Sequence, residues 1–210
     1  MATIEWIFWD NDGVLVDTED LYFQASAELL REAGVELSRE QFVEISLRRG
    51  ESVFDLAEGD KPYLDNLRER RNRRYAELLA QGVVPIAGVA ETLRALHGRF
   101  RMAIVTSSHR DHFDLIHQTT GLRGYFDFIL TREDYRHTKP HPEPYLTALA
   151  RSTGVPGRCL VVEDSQRGLE AAVAAGLRCL VIPGDLNRHS DFSTAHAILQ
   201  GIAEVPDYLR

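Results

Sequence analysis

Trp6-Ile7-Phe8-Trp9-Asp10-Asn11-Asp12-Gly13 joins four uninterrupted apolar residues to a pair of aspartates. A half-buried strand would alternate apolar and polar residues. A continuous apolar run fits a strand covered on both faces, as in a parallel sheet. Working outward, similar runs occupy residues 102–105, 126–130, 159–162 and 179–182. Between them, apolar residues recur at helical spacing over 91–96, 110–117, 143–150 and 168–175. Strands alternating with helices predict βαβ crossovers, one parallel sheet and a doubly wound α/β fold.

Residues 18–83 break this rhythm and contain no convincing strand. Helices are predicted over 21–33, ending at Gly34, and over 40–47 and 65–79. Gly82-Val83-Val84-Pro85 reads as the re-entry linker. The expected organisation is a core of residues 1–17 and 84–210, with a small helical cap, 18–83, inserted after the first strand. No internal repeat or low-complexity segment interrupts it.

The chain has 210 residues, enough to bury a core without disulfide or metal staples. Its composition is 44% hydrophobic and 27% charged, which argues against disorder, collagen and coiled coil. A net charge of -8 disfavours non-specific binding to nucleic acid or anionic membrane. Cys159 and Cys179 are too few for a disulfide framework and lack zinc spacing; both fall in predicted inner strands. Residues 1–10 do not make a signal peptide, and no window approaches the ~20 apolar residues of a membrane span. A cytoplasmic protein is expected.

Ligands of open parallel sheets collect at the carboxyl ends of the strands. Asp10-Asn11-Asp12-Gly13 follows the first predicted strand, Thr106-Ser107-Ser108 the second, and Glu163-Asp164-Ser165 the fourth. Lys139 follows the third after a loop, and it is rare: of 24 basic residues only Lys61 and Lys139 are lysines. Four carboxylates, a hydroxyl and this lysine would therefore converge. Crowded carboxylates need cations or protons. Hard oxygen donors select magnesium or calcium, and magnesium shares its shell with a substrate phosphate. With Thr106 and nearby N–H groups as an anion cradle, the pattern reads as a phosphoryl-transfer site.

The sequence Asp10-Asn11-Asp12-Gly13-Val14-Leu15-Val16-Asp17-Thr18-Glu19 resembles the first motif of the haloacid dehalogenase (HAD) superfamily of phosphohydrolases. Thr106, Lys139-Pro140 and Glu163-Asp164-Ser165 match its second, third and fourth motifs in order. The resemblance covers nearly the whole chain and is greatest to the β-phosphoglucomutase and sugar-phosphate phosphatase branch. It implies a Rossmann-like core with a helical cap. It implies Asp10 as nucleophile and Asp12 as general acid, then base. Magnesium would be bound by Asp10, the Asp12 main-chain carbonyl and Asp164, with Glu163 as a direct or water-mediated ligand. Thr106 and the Ser107 N–H would hold the phosphoryl oxygens, and Lys139 would neutralise them.

A phosphatase of small phosphorylated metabolites, sugar phosphates by branch, is the first reading, with nucleotides and phosphoglycolate left open. A β-phosphoglucomutase-type mutase is the alternative, and a non-catalytic binding module is a remote third. Mutases of the branch carry a cap histidine where Tyr22 stands here. They also carry a cap arginine in a segment like 49–56, where Val53 is the aligned residue and Arg48 and Arg49 lie close by. Dehalogenases lack the second aspartate, which Asp12 supplies. Phosphonatases need a cap lysine, and Lys61 beside Pro62 reads as a loop residue. The expected assembly is a monomer or weak homodimer.

Other patterns read blandly. An EF-hand fails because Val14 and Leu15 stand where Asp or Asn and Gly are needed. His137 and His141 are four apart, but Pro140 and Pro142 argue for a loop. Arg68-Glu69-Arg70-Arg71-Asn72-Arg73-Arg74 reads as a solvated helix face; the sharper reading has one arginine reaching an anionic substrate group. Asn11 stands where a hydrophobic residue is common, and nothing in the sequence accounts for it.

Overall fold

In the computed structural model, which describes residues 3–209, the run Trp6–Trp9 forms strand β1, and all four residues are buried. β1 lies parallel to β2 (Arg101–Val105) on one side and to β4 (Cys159–Glu163) on the other. β3 (Phe128–Leu130) extends the sheet beyond β2, and β5 (Arg178–Val181) and β6 (Ala197–Ile198) extend it beyond β4. All pairings are parallel, in the order β3-β2-β1-β4-β5-β6. The direction of winding reverses at β1, so the crevice at its carboxyl end is a topological switch point.

Alternation along β1 assigns the two faces. Ile7 and Trp9 pack with Met102, Ile104, Leu160 and Val162 against α4 (Val89–Leu96), α5 (Arg110–Ile116) and α8 (Val205–Tyr208). Trp6 and Phe8 pack on the opposite side against α6 (Glu143–Ser152) and α7 (Gln166–Ala174). The sheet is thus covered on both faces, as its continuous apolar runs require.

Between β1 and α4 lie α1 (Glu19–Glu32), α2 (Arg39–Phe42) and α3 (Lys61–Leu79). Leu29, Leu30, Phe42, Phe54 and Leu67 form their own buried cluster. Tyr75, Leu78 and Leu79 pack instead with Val16, Val83 and Ile116, tying α3 to the sheet-bearing part.

Several local expectations need correction. The helix expected over 40–47 is α2, started by a Ser38–Gln41 capping box, followed by a π-helical turn, Val43–Arg48. The helix expected over 65–79 begins at Lys61, because the Asp60 side chain accepts the Tyr63 N–H. Pro62 sits in its first turn, where no intrahelical N–H is needed, so Lys61 is helical rather than a loop residue. The strand expected over 126–130 shortens to Phe128–Leu130, that over 179–182 shifts to Arg178–Val181, and β6 was not foreseen. Residues 1, 2 and 210 of the expected core, and the start of the 1–10 stretch, lie outside the described residues.

Candidate active site

After β1 the chain curls into a tight loop. The Asp10 N–H still donates to Val162 O (2.9 Å), while Asn11 O accepts the N–H groups of Leu15 (2.8 Å) and Val16 (3.1 Å). Gly13 holds φ 82° and packs against Asp164, whose Oδ2 would lie 2.3 Å from a Cβ there. A side chain at position 13 would therefore be strained and would strike Asp164.

Beneath this loop Lys139 reaches up from the segment between β3 and α6. Its Nζ donates to Asp10 Oδ1 (2.7 Å), Glu163 Oε1 (2.6 Å) and Val105 O (2.9 Å). Tyr145 also donates to Glu163 Oε1, and Ser165 donates to Oε2 (3.2 Å). Ligand atoms of Asp10, Glu163 and Asp164 lie within 4.8 Å of one another, and all three residues are buried. One ammonium thus faces three carboxylates. Burial, then Glu163, pushes the Asp10 carboxyl up to about 7. Burial, then Glu19 and Asp10, raises Asp164 well above the carboxylate range. Burial alone would lower the Lys139 ammonium, but Asp10 and Glu163 outweigh it and hold it above its ordinary value. An all-oxygen set short of positive charge fits a hard divalent cation. Both oxygens of Glu163 already accept hydrogen bonds, which leaves Asp10 and Asp164 as the more available donors.

Asp12 points into the same space. Thr18 Oγ1 donates to its Oδ1; Ser108 Oγ (2.8 Å) and Thr106 Oγ1 (3.2 Å) donate to its Oδ2. Asn11 turns away from the site: its Oδ1 accepts from His117 Nε2 (2.7 Å), and its Nδ2 lies 3.3 Å from Asp12 Oδ2. Thr120 Oγ1 sits 2.8 Å from His117 Nδ1. A neutral ring with its proton on Nε2 satisfies both contacts, and burial pushes His117 down to about 4. Asn11 therefore has a physical account: it is the polar partner of a buried histidine.

A cavity of about 420 Å³ opens above these groups, within the usual range of small-molecule sites. Asp10, Asp12, Thr106, Ser107, Lys139 and Asp164 all line it, whereas Glu163 stands behind Lys139. Tyr22, Ser46, Leu47, Arg71 and Tyr75 line it from the inserted helices. The sequence reading missed four residues here. Thr18 and Ser108 lay within or beside quoted motifs, and their hydroxyls next to acids were the available signal. Tyr145 and Asn187 gave none; Asn187 Nδ2 donates to Asp164 Oδ2 (2.7 Å) from a distant loop.

His137 and His141 lie in a loop, and His137 Nδ1 is 2.7 Å from Glu143 Oε2. Cys159 and Cys179 are free and buried. Arg48 and Arg49 both pair with Glu44, and Val53 is buried in the cluster of the inserted helices. Among the described residues no helix is long and apolar enough to cross a membrane.

A family model described as haloacid dehalogenase-like hydrolase matches residues 7–182. Protein CbbY of Rhodobacter capsulatus is 31% identical over 222 residues, spanning 95% of this chain and 98% of that protein. A phosphorylated carbohydrates phosphatase of Thermotoga maritima is 32% identical over 183 residues, spanning 83% and 82%. The crystal structure of CbbY from Rhodobacter sphaeroides in complex with phosphate superposes with a TM-score of 0.84 at 28% identity, covering 96% of each chain.

Proposed function

The chain belongs to the haloacid dehalogenase-like hydrolase family and is a hydrolase of phosphoric monoesters, and we propose that it is a magnesium-dependent phosphatase of small phosphorylated sugars working through an aspartyl-phosphate. The observation that carries this reading is the buried group of Asp10, Glu163 and Asp164 about the Lys139 ammonium, at the switch point of the sheet. The phosphatases of phosphorylated carbohydrates among its relatives favour a sugar ester.

Asp10 is the nucleophile. Lys139 holds its Oδ1, so the carboxylate is fixed in direction before substrate arrives. Attack on phosphorus forms the Asp10–phosphorus bond as the ester oxygen leaves, and Asp12 gives that oxygen its proton. Asp12 then takes a proton from water, whose oxygen attacks the same phosphorus and restores the Asp10 carboxylate. Thr18, Thr106 and Ser108 aim Asp12 for both transfers. Lys139 and the Ser107 N–H stabilise charge on the phosphoryl oxygens. Asp10, Asp164 and the Asp12 carbonyl would hold magnesium, which supplies charge neutralisation at the phosphoryl group. Residues 18–83 act as a cap that excludes water and selects the leaving group.

Hydrolysis is favoured over the mutase alternative by the cap. Tyr22 lies under the Arg71 guanidinium and meets Tyr75 edge-on, and Asp12 takes its hydrogen bonds from Thr18, Thr106, Ser108 and Asn11 instead. The test is phosphate release from a sugar-phosphate panel with and without magnesium. Release that needs the metal supports the reading; isomerisation of β-glucose 1-phosphate without release supports the mutase.

A further inference from the structure

The five arginines between residues 68 and 74 of α3 do not share one fate. Arg68 pairs with Asp55 and Asp65, Arg70 with Glu32, and Arg74 with Glu28 and Glu77. Arg73 is exposed. Arg71 turns inward and lines the cavity without a carboxylate partner among the described residues. Its Nε donates to Asn72 Oδ1 (2.9 Å) and its Nη1 to Ser26 Oγ (3.4 Å). Its guanidinium lies 4.2 Å above the Tyr22 ring. Tyr75 meets that ring edge-on at 5.1 Å, so the platform is fixed. The enclosure disfavours the charged form, and no acid offsets it.

A guanidinium withdrawn from water and left without a counter-charge is costly, and its neighbours occupy only part of its five donors. The Tyr22 ring contact and the bonds to Asn72 and Ser26 hold the planar fork in place, which is preorganisation for a two-oxygen acceptor. We propose that Arg71, held over the Tyr22 ring, is a specificity-determining residue that binds a second anionic group of the substrate, a phosphate or a carboxylate remote from the ester cleaved at Asp10. The substrate class is then a phosphomonoester with two anionic ends. This rests on the phosphatase reading for which end is cleaved. It does not depend on Arg48 or Arg49, which are spent on Glu44.

The experiment compares kcat/KM within matched pairs: fructose 1,6-bisphosphate against fructose 6-phosphate, and 3-phosphoglycerate against glycerol 3-phosphate. The wild type is expected to favour the doubly anionic member of at least one pair by about tenfold or more, the scale of one charge-assisted hydrogen bond. Which pair responds tells phosphate from carboxylate. Arg71→Met keeps the apolar stem over Tyr22 and should collapse that ratio, while Arg71→Lys should retain part of it. No preference in either pair, or an Arg71→Met loss equal for both members, overturns the proposal. Failure of every ester to release phosphate sinks the phosphatase reading instead. Calorimetric binding of fructose 1,6-bisphosphate and 3-phosphoglycerate to the Asp10→Asn protein then decides. A tenfold weakening of either on adding Arg71→Met supports the subsite; no binding, or binding indifferent to Arg71, overturns it.

Discussion

Asp10→Asn separates chemistry from folding at a single residue. The amide cannot attack phosphorus, so phosphate release should fall about a thousandfold or more. The same change removes one carboxylate from a crowded group of three, and it is one whose ionised form burial opposes. In metal-free buffer the variant's thermal midpoint should therefore equal or exceed that of the wild type; a lower midpoint with substantial residual activity would sink the assignment. His117 makes a separate prediction. Its pKa is about 4 in the fold against 6.5 for a free ring, so the unfolded chain takes up the proton first. The neutral ring's contribution is complete above pH 6.5 and is lost as pH falls toward 4, to a limit of roughly 3 kcal/mol. Urea midpoints measured across that window should lose this slope in His117→Gln. The two residues also show what the sequence could reveal. Asp10, Asp12, Thr106, Lys139 and Asp164 were legible because each closes a strand or follows one, and the strands were marked by apolar runs. His117 was not, because its partner Asn11 is 106 positions away and only the packing of α5 against the β1 loop joins them.

At the scale of elements, the approach of α7 to the end of β4 is the tightest feature of the site. A Cβ on Gly168 would lie 1.9 to 2.1 Å from the Glu163 carboxylate. A flexible side chain elsewhere would swing aside, but Lys139, Tyr145 and Ser165 pin this one. Two effects oppose in Gly168→Ala. Helix propensity favours alanine by about 1 kcal/mol. Displacing a buried, paired carboxylate costs more, so a net destabilisation of roughly 2–4 kcal/mol is expected, read as a lower urea midpoint. A midpoint at or above the wild type would mean that Glu163 moves clear at no cost. Nothing in the sequence marked this glycine beyond its place three residues after Ser165. The inserted helices were harder to read than the strands. Pro62 resembled a breaker, yet it occupies the first turn of α3, behind the Asp60 cap. The π-helical turn at Val43–Arg48 follows α2 without a break, so 40–47 reads as one helix, although Ser46 and Leu47 of that turn line the cavity. β6, at two residues, is too short for any periodicity to mark.

For the molecule as a whole, the parallel sheet could be read from alternating apolar runs and helices, while its order depended on which faces fill. The sheet gathers three carboxylates at one edge and so makes stability depend on pH and metal together. Without metal, the Asp10 carboxyl stands at about 7 in the fold against 3.8 unfolded. The unfolded chain gives up this proton first as pH rises. The group's contribution is therefore complete below 3.8 and is lost on the way to 7, so the metal-free fold should weaken across that interval from this source. A divalent ion at Asp10 and Asp164 requires the ionised forms, so its binding must expel protons. Apparent magnesium affinity should rise about tenfold per pH unit below about 7 for each proton expelled, and more gently above it. Calorimetry at about pH 6 in two buffers of different ionisation heat should register about one or more protons released per magnesium, declining as pH passes 7. Equal release at about pH 6 and pH 8.5, or none at either, would mean that the ion does not bind where these carboxylates converge. Chelation of the metal should then leave the thermal midpoint unchanged at every pH. If the ion does sit there, the midpoint gained from magnesium should widen with pH, because the same ionisation that weakens the metal-free fold creates the ligand.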